Sequence, residues 1–124
     1  MVQEEISELL SEGKSWKDSL VNYRENFVQS QKNLLKIASG DLSKDKLSDL
    51  ERFQNQFYIQ LLNIHDVKRD IKNHIHHLTS EATVKTSEDL KADHENLKSS
   101  YEDLVASLNE VNKEFKVFAE AAAV

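Results

Sequence analysis

The stretch from Leu47 to Leu78 carries apolar residues at the three- and four-residue spacing of an α-helix. Five of them repeat every seven residues, and five more widen this stripe into a band suited to face a core: Leu50, Phe57, Ile64, Ile71 and Leu78, then Leu47, Phe53, Leu61, Val67 and Ile75. No proline or glycine interrupts the stretch. The pattern predicts one long helix over about residues 43–78, with Asp41 or Ser43 as its N-cap.

The middle of this predicted helix is apolar on its outer side as well. If Leu50 takes heptad position a, then Tyr58, Ile59 and Leu62 fall at positions b, c and f, which normally face water. The helix is therefore apolar almost all round from Phe57 to Leu62, and polar residues return on either side. A contiguous apolar patch with a polar rim is typical of a contact surface, so we expect another protein surface to cover it.

The first segment has a heptad seam that runs through most of its length. Apolar residues occupy its a and d positions except at Gly13 and Ser30: Ile6, Leu9, Trp16, Leu20, Tyr23, Phe27, Leu34 and Ile37. This phase predicts one helix over about residues 2–38, stopped at Gly40 in the left-handed conformation that glycine tolerates. The alternative is a capping box from Ser15 to Asp18 that opens a new helix and leaves residues 2–12 as a separate short one.

The last segment begins with a capping box, because Thr86 is followed three residues later by Asp89. Beyond it, apolar residues and one histidine repeat at four- and three-residue steps from Leu90 to Ala122. The pattern predicts a third helix over about residues 87–120.

Three long helices with short connections predict an all-α fold, an up-down-up antiparallel three-helix bundle of coiled-coil-like helices. The bundle forms a single domain over residues 1–124, and a four-helix bundle with residues 2–12 as a short helix is the alternative. The absence of proline and cysteine, with only two glycines, excludes turn-rich β folds and disulfide frameworks. The plan resembles that of spectrin-type repeats, including a tryptophan in the first helix, here Trp16, but no motif specific to that family is present.

The histidines are the one concentration of titratable groups. His74 faces the seam of the second helix and His77 lies beside it, while antiparallel pairing brings His94 of the third helix to the same end. With Glu5 from the first helix, this set offers three nitrogens and one oxygen, which suits zinc or a similar divalent ion. The ordinary interpretation is a set of hydrogen-bonded histidines at the end of a bundle, and it predicts no cofactor.

These histidines also predict a response to pH. Imidazoles crowded at one end repel each other when protonated, so that end of the bundle should loosen below roughly pH 6.

The net charge of −6 is concentrated near the end of the chain, where residues 79–124 carry five basic and ten acidic side chains. This balance argues against nucleic acid and against an anionic membrane surface as partners. No apolar run is long enough to span a membrane. The first ten residues are acidic where a signal peptide would be basic, and we therefore expect a cytoplasmic location.

No constellation of catalytic residues is visible. Serines lie at caps or on charged faces, and the adjacent His65 and Asp66 point apart on a helix.

The expected function is protein–protein interaction or self-association without catalytic activity. A homodimer through Tyr58, Ile59 and Leu62 is preferred, with a partner protein's helix as the runner-up. The alternative is a bundle that binds a divalent metal or a small ligand at its histidine-rich end.

Overall fold

The computed structural model of the chain describes residues 1–122 as three long α-helices. They are α1 (Gln3–Ala38), α2 (Lys44–Thr79) and α3 (Ser87–Ala122), each of 36 residues and therefore roughly 54 Å long at 1.5 Å per residue. The expected three-helix bundle is confirmed, and the predicted helix ends differ from the observed ones by two residues at most. The last two residues of the predicted domain, 123 and 124, lie outside the described residues.

The first helix is continuous through Gly13, so the alternative of a separate helix over residues 2–12 is wrong. Gly13 is buried against Ile75 of α2, and Leu20 farther along the same seam is fully buried. Packing of Gly13 and of the seam that follows it holds the helix in one piece, which outweighs the capping preference of Ser15.

The helix ends follow the predicted capping chemistry in two of three places. The Ser43 side chain accepts a hydrogen bond from the Lys46 backbone N–H at 3.3 Å. The Thr86 hydroxyl accepts from the Asp89 N–H at 3.0 Å, while the Asp89 carboxylate accepts from the Thr86 N–H at 3.3 Å. The third expectation is wrong, because neither glycine has a positive φ.

At the end of α1, Ser39 replaces the left-handed glycine as the stop. Its hydroxyl donates to the Lys36 carbonyl at 2.6 Å, and its backbone N–H donates to the same carbonyl. A free carbonyl of the last turn is therefore satisfied without a left-handed residue.

The core lies along α2, which packs against both other helices. The ring of Phe57 is 5.5 Å from that of Phe27 in α1 and 5.0 Å from that of Phe115 in α3. The buried apolar core comprises Leu20, Phe27, Leu34, Phe53, Phe57, Ile64, Ile71, Leu104, Leu108, Val111 and Phe115.

Cross-helix contacts show that α1 and α3 run parallel in a constant register. The Tyr23 hydroxyl donates to the Asn109 side-chain oxygen at 2.9 Å, and the Lys91 ammonium lies 3.2 Å from the Glu5 carboxylate. Both pairs are separated by 86 positions in the sequence. This register brings the start of α1, the end of α2 and the start of α3 together at one end of the bundle.

Two positions of α2 differ from the predicted core band. Leu47 is 46% exposed, because it lies near the start of α2, before Phe53, the first buried residue of that helix. Gln60 is buried instead, and its amide donates to the Ser107 hydroxyl at 2.8 Å. A polar core position is tolerated there because it is hydrogen-bonded.

Replacement of Gly13 by alanine is expected to raise the free energy of unfolding by about 0.5–1 kcal/mol. A Cβ at this position would lie 3.4 Å from Ile75, at ordinary contact distance, while the unfolded chain would lose conformational freedom. Urea denaturation measures the change. Gly13→Leu is the control that should destabilise the bundle by overpacking, and lower stability of the alanine variant would contradict the prediction.

Candidate functional site

The outer side of α2 carries the apolar patch that its sequence predicts. Tyr58, Ile59 and Leu62 are 63%, 48% and 47% exposed, and we call these three residues the outer waist. Leu62 lies four residues after Tyr58 and three after Ile59, so the side chains are neighbours on one face of the helix. No other part of the described chain covers this face.

Charged side chains form the rim of the outer waist. Toward the C-terminal end, Arg69 pairs with Asp66 at 3.5 Å and with Asp70 at 3.4 Å. Toward the N-terminal end, Arg52 contacts Glu114 of α3 at 3.2 Å. All these groups are about half exposed, so they remain available to a second surface.

The second candidate site is a pair of buried histidines between α2 and α3. His74 is 4% exposed and His94 is 2% exposed. His74 Nε2 and His94 Nδ1 lie 3.0 Å apart, within hydrogen-bonding distance. The sequence therefore predicts correctly that these two residues meet at this end of the bundle.

Contacts from α1 complete the surroundings of His94. The Trp16 ring lies 4.7 Å from its imidazole, and one oxygen of Glu12 lies 3.7 Å from its Nε2. The nearby carboxylate favours a proton on His94 Nε2, which leaves Nδ1 to accept from His74 Nε2. In this arrangement each ring has one unprotonated nitrogen. That of His94 accepts a hydrogen bond, whereas that of His74, Nδ1, has no hydrogen-bond partner.

The other members of the predicted metal set do not join this pair. His77 lies within hydrogen-bonding distance of the Thr83 hydroxyl, at 3.4 Å, and Glu5 pairs with Lys91. Among residues 1–122, no group of three or more histidine, aspartate or glutamate side chains is arranged to hold a metal ion. The metal site stays a prediction, with two of its four residues in contact.

Glu12 is the residue at this site that the sequence did not single out. It lies one heptad after Glu5 on the same flank of α1, so both acids are equally plausible neighbours for His94 until the helix register is known. That register pairs Glu5 with Lys91, and the Glu12 side chain leans back toward the helix N-terminus to approach His94.

A polar cleft of about 360 Å³ opens beside His74 between α2 and α3. Its lining includes Asp70, His77, Lys85 and Asp93, and Lys85 pairs with Asp93 at 2.6 Å. Because these charges already neutralise one another in part, the cleft shows no strong preference for a ligand of one sign.

Burial lowers the pKa of His74 below its ordinary value of 6.5. The neighbouring His94 lowers this pKa further, as do Lys85 and His77 more weakly, whereas Asp93 opposes them. The desolvated ring is therefore held in its neutral form. Since the unfolded chain binds this proton more readily, neutral His74 stabilises the fold above about pH 6.5, and this stability is lost as the pH falls toward the lower folded pKa.

No protein-family model, curated protein or solved structure matches this chain. None of these comparisons supports the resemblance to spectrin-type repeats. None of the helices in residues 1–122 is long and apolar enough to cross a membrane.

Acidification from pH 7.5 to 5.5 is expected to lower the melting temperature, and His74→Gln is expected to flatten this dependence. The amide of glutamine can still donate toward His94 but does not titrate. His76→Gln is the matched control, because His76 is exposed on the same helix and should leave the pH dependence unchanged. Equal slopes in the wild type and the His74 variant would show that another group controls the response.

Proposed function

We propose that this chain is a helical interaction module that associates with a second copy of itself through the outer waist. The observation that carries the proposal is the exposure of Tyr58, Ile59 and Leu62 as one contiguous apolar surface. Single exposed leucines are common on proteins, but contiguous patches with polar rims are characteristic of interfaces. A second copy is the preferred occupant because symmetric dimers are the commonest oligomers.

The size of the outer waist sets the expected strength of this association. Stable interfaces bury about 800 Å² on each partner, and three side chains on one helix supply only the centre of such a surface. A dissociation constant of roughly micromolar or weaker is expected. The proposed function needs no catalytic residue and no cofactor, and we propose the cytoplasm as its location.

Sedimentation over a range of protein concentrations tests the proposal. The wild type is expected to shift from monomer to dimer, and a Tyr58→Lys, Leu62→Glu double variant is expected to remain monomeric because charge at the patch centre opposes burial. A wild type that stays monomeric at every concentration would reject self-association and leave binding to a different protein's helix as the use of this face.

The matched control for this experiment is Leu35→Glu. Leu35 is 69% exposed on α1, so the same type of substitution is made at a more exposed leucine outside the outer waist. This variant should dimerise like the wild type. If it dissociates as fully as the double variant, the association does not depend on the proposed face.

Binding of zinc, another divalent ion or a small ligand at the histidine-rich end is the second candidate function. The contact between His74 and His94 favours it, with His77 and Glu5 as the other proposed ligands. Titration calorimetry with zinc provides the test, with the His74→Ala, His94→Ala variant as the comparison. If self-association is the only function of the chain, no stoichiometric zinc binding is expected.

A stoichiometric heat of zinc binding to the wild type that is absent from the His74→Ala, His94→Ala variant would instead establish the metal site. A His65→Ala, His76→Ala variant is the control for nonspecific surface binding, because both of these histidines are exposed.

A further inference from the structure

We infer that two copies pair antiparallel through α2, with Ile59 against Ile59 and Arg52 of each copy against Asp66 of the other. This inference rests on the proposed function, since it specifies the orientation of the proposed dimer. It adds that charge complementarity fixes the register of the two helices.

The outer face of α2 consists of three rows of exposed residues. The central row lies at heptad position f, and the flanking rows lie at positions b and c. In the order b, f and c, the rows are Glu51, Tyr58 and His65; Ser48, Asn55, Leu62 and Arg69; and Arg52, Ile59 and Asp66. In each flanking row the apolar residue lies midway between two residues that can carry opposite charges.

In an antiparallel two-fold pair, each flanking row of one copy faces the same row of the other copy, running in the opposite direction. With Ile59 on the axis, Arg52, seven residues before it, meets Asp66, seven residues after it. The two-fold symmetry repeats this ion pair on the other side of the axis. In the same register Tyr58 meets Tyr58, and the acidic Glu51 meets His65.

The central row decides the orientation. A parallel two-fold pair would set row b against row c, with Glu51 opposite Arg52 and His65 opposite Asp66, so the flanking rows alone do not exclude it. In the antiparallel pair, Leu62 packs against Asn55, and Arg69 faces the neutral Ser48. In a parallel pair every central residue would meet its own copy, so Arg69 would face Arg69 across the two-fold axis. Like charges directly opposite each other oppose association, and antiparallel helices also align their dipoles favourably.

The contacts that Arg52 and Asp66 make within the chain leave both side chains accessible to a second copy. The Arg52 side chain is 49% exposed while it pairs with Glu114, and Asp66 is 56% exposed while it pairs with Arg69. A second copy can therefore approach both groups without breaking a buried ion pair.

The test mixes two charge-reversed variants, Arg52→Glu and Asp66→Arg. Each alone places two like-charged pairs across the antiparallel dimer, and we expect its dissociation constant to rise about tenfold. An equimolar mixture is expected to recover wild-type affinity. In the mixed dimer the two substituted side chains, of opposite charge, face each other, and the unchanged Arg52 and Asp66 form the second ion pair. Native mass spectrometry identifies this heterodimer directly by its mass.

Rescue in the mixture is specific to the antiparallel register. In a parallel dimer, positions 52 and 66 of the two copies would lie about 21 Å apart along the helices, too far for an ion pair. Glu114→Gln is the control, since it removes the α3 partner of Arg52 and leaves Asp49 of α2 as its intrachain partner, without changing the outer face. It should leave the dissociation constant unchanged, and circular dichroism verifies that each variant is folded.

The outcomes separate this inference from the function on which it rests. Weakened single variants with recovery in the mixture support the antiparallel register. A wild-type dimer that the Tyr58→Lys, Leu62→Glu variant abolishes, but that shows no recovery in the mixture, overturns the register and leaves the self-association proposal standing. A wild type that is monomeric at every concentration overturns both.

Discussion

The contact of Phe57 with both neighbouring helices is the interaction on which the rest of the structure depends. Its ring meets Phe27 of α1 and Phe115 of α3 edge-on, at interplanar angles of 65° and 79°, a favourable geometry for aromatic pairs. Two sides of α2 are therefore committed to the core at this level. Apolar residues on its third side have no remaining partner within the described chain, which explains why Tyr58 and Ile59 are exposed beside one of the best-packed residues.

The two ends of the bundle are packed by different chemistry. Toward the start of α2, Phe53 lies 5.4 Å from Phe115 and 5.1 Å from Phe118, and none of these rings carries a polar atom. Toward its end, His74 and His94 share one short contact and leave two buried nitrogens without hydrogen bonds. Each such atom costs about 1–3 kcal/mol, so local opening is expected to begin at the histidine end.

The architecture could be predicted because its signals are local, whereas much of the site depends on the register between helices. Apolar periodicity and the caps at Ser43 and Thr86 require only neighbouring residues, and they give the three helices nearly to their ends. Periodicity also identifies the exposed outer waist and the meeting of His74 with His94. It cannot distinguish Glu12 from Glu5 as the acid beside His94, because the two lie one heptad apart on the same flank of α1.

The outer waist and the histidine pair are physically separable although both lie on α2. Leu62 and His74 are twelve residues apart, about 18 Å along the helix, which exceeds the screening length of roughly 8–10 Å in physiological salt. At this distance a proton on His74 has little effect through its charge on the outer waist, whose three side chains are uncharged. It could act only if α2 unwound from its C-terminal end past Ile71 and Ile64, which are both fully buried. Since these side chains belong to the central core, loosening of the histidine end should stop before it reaches the surface proposed for self-association.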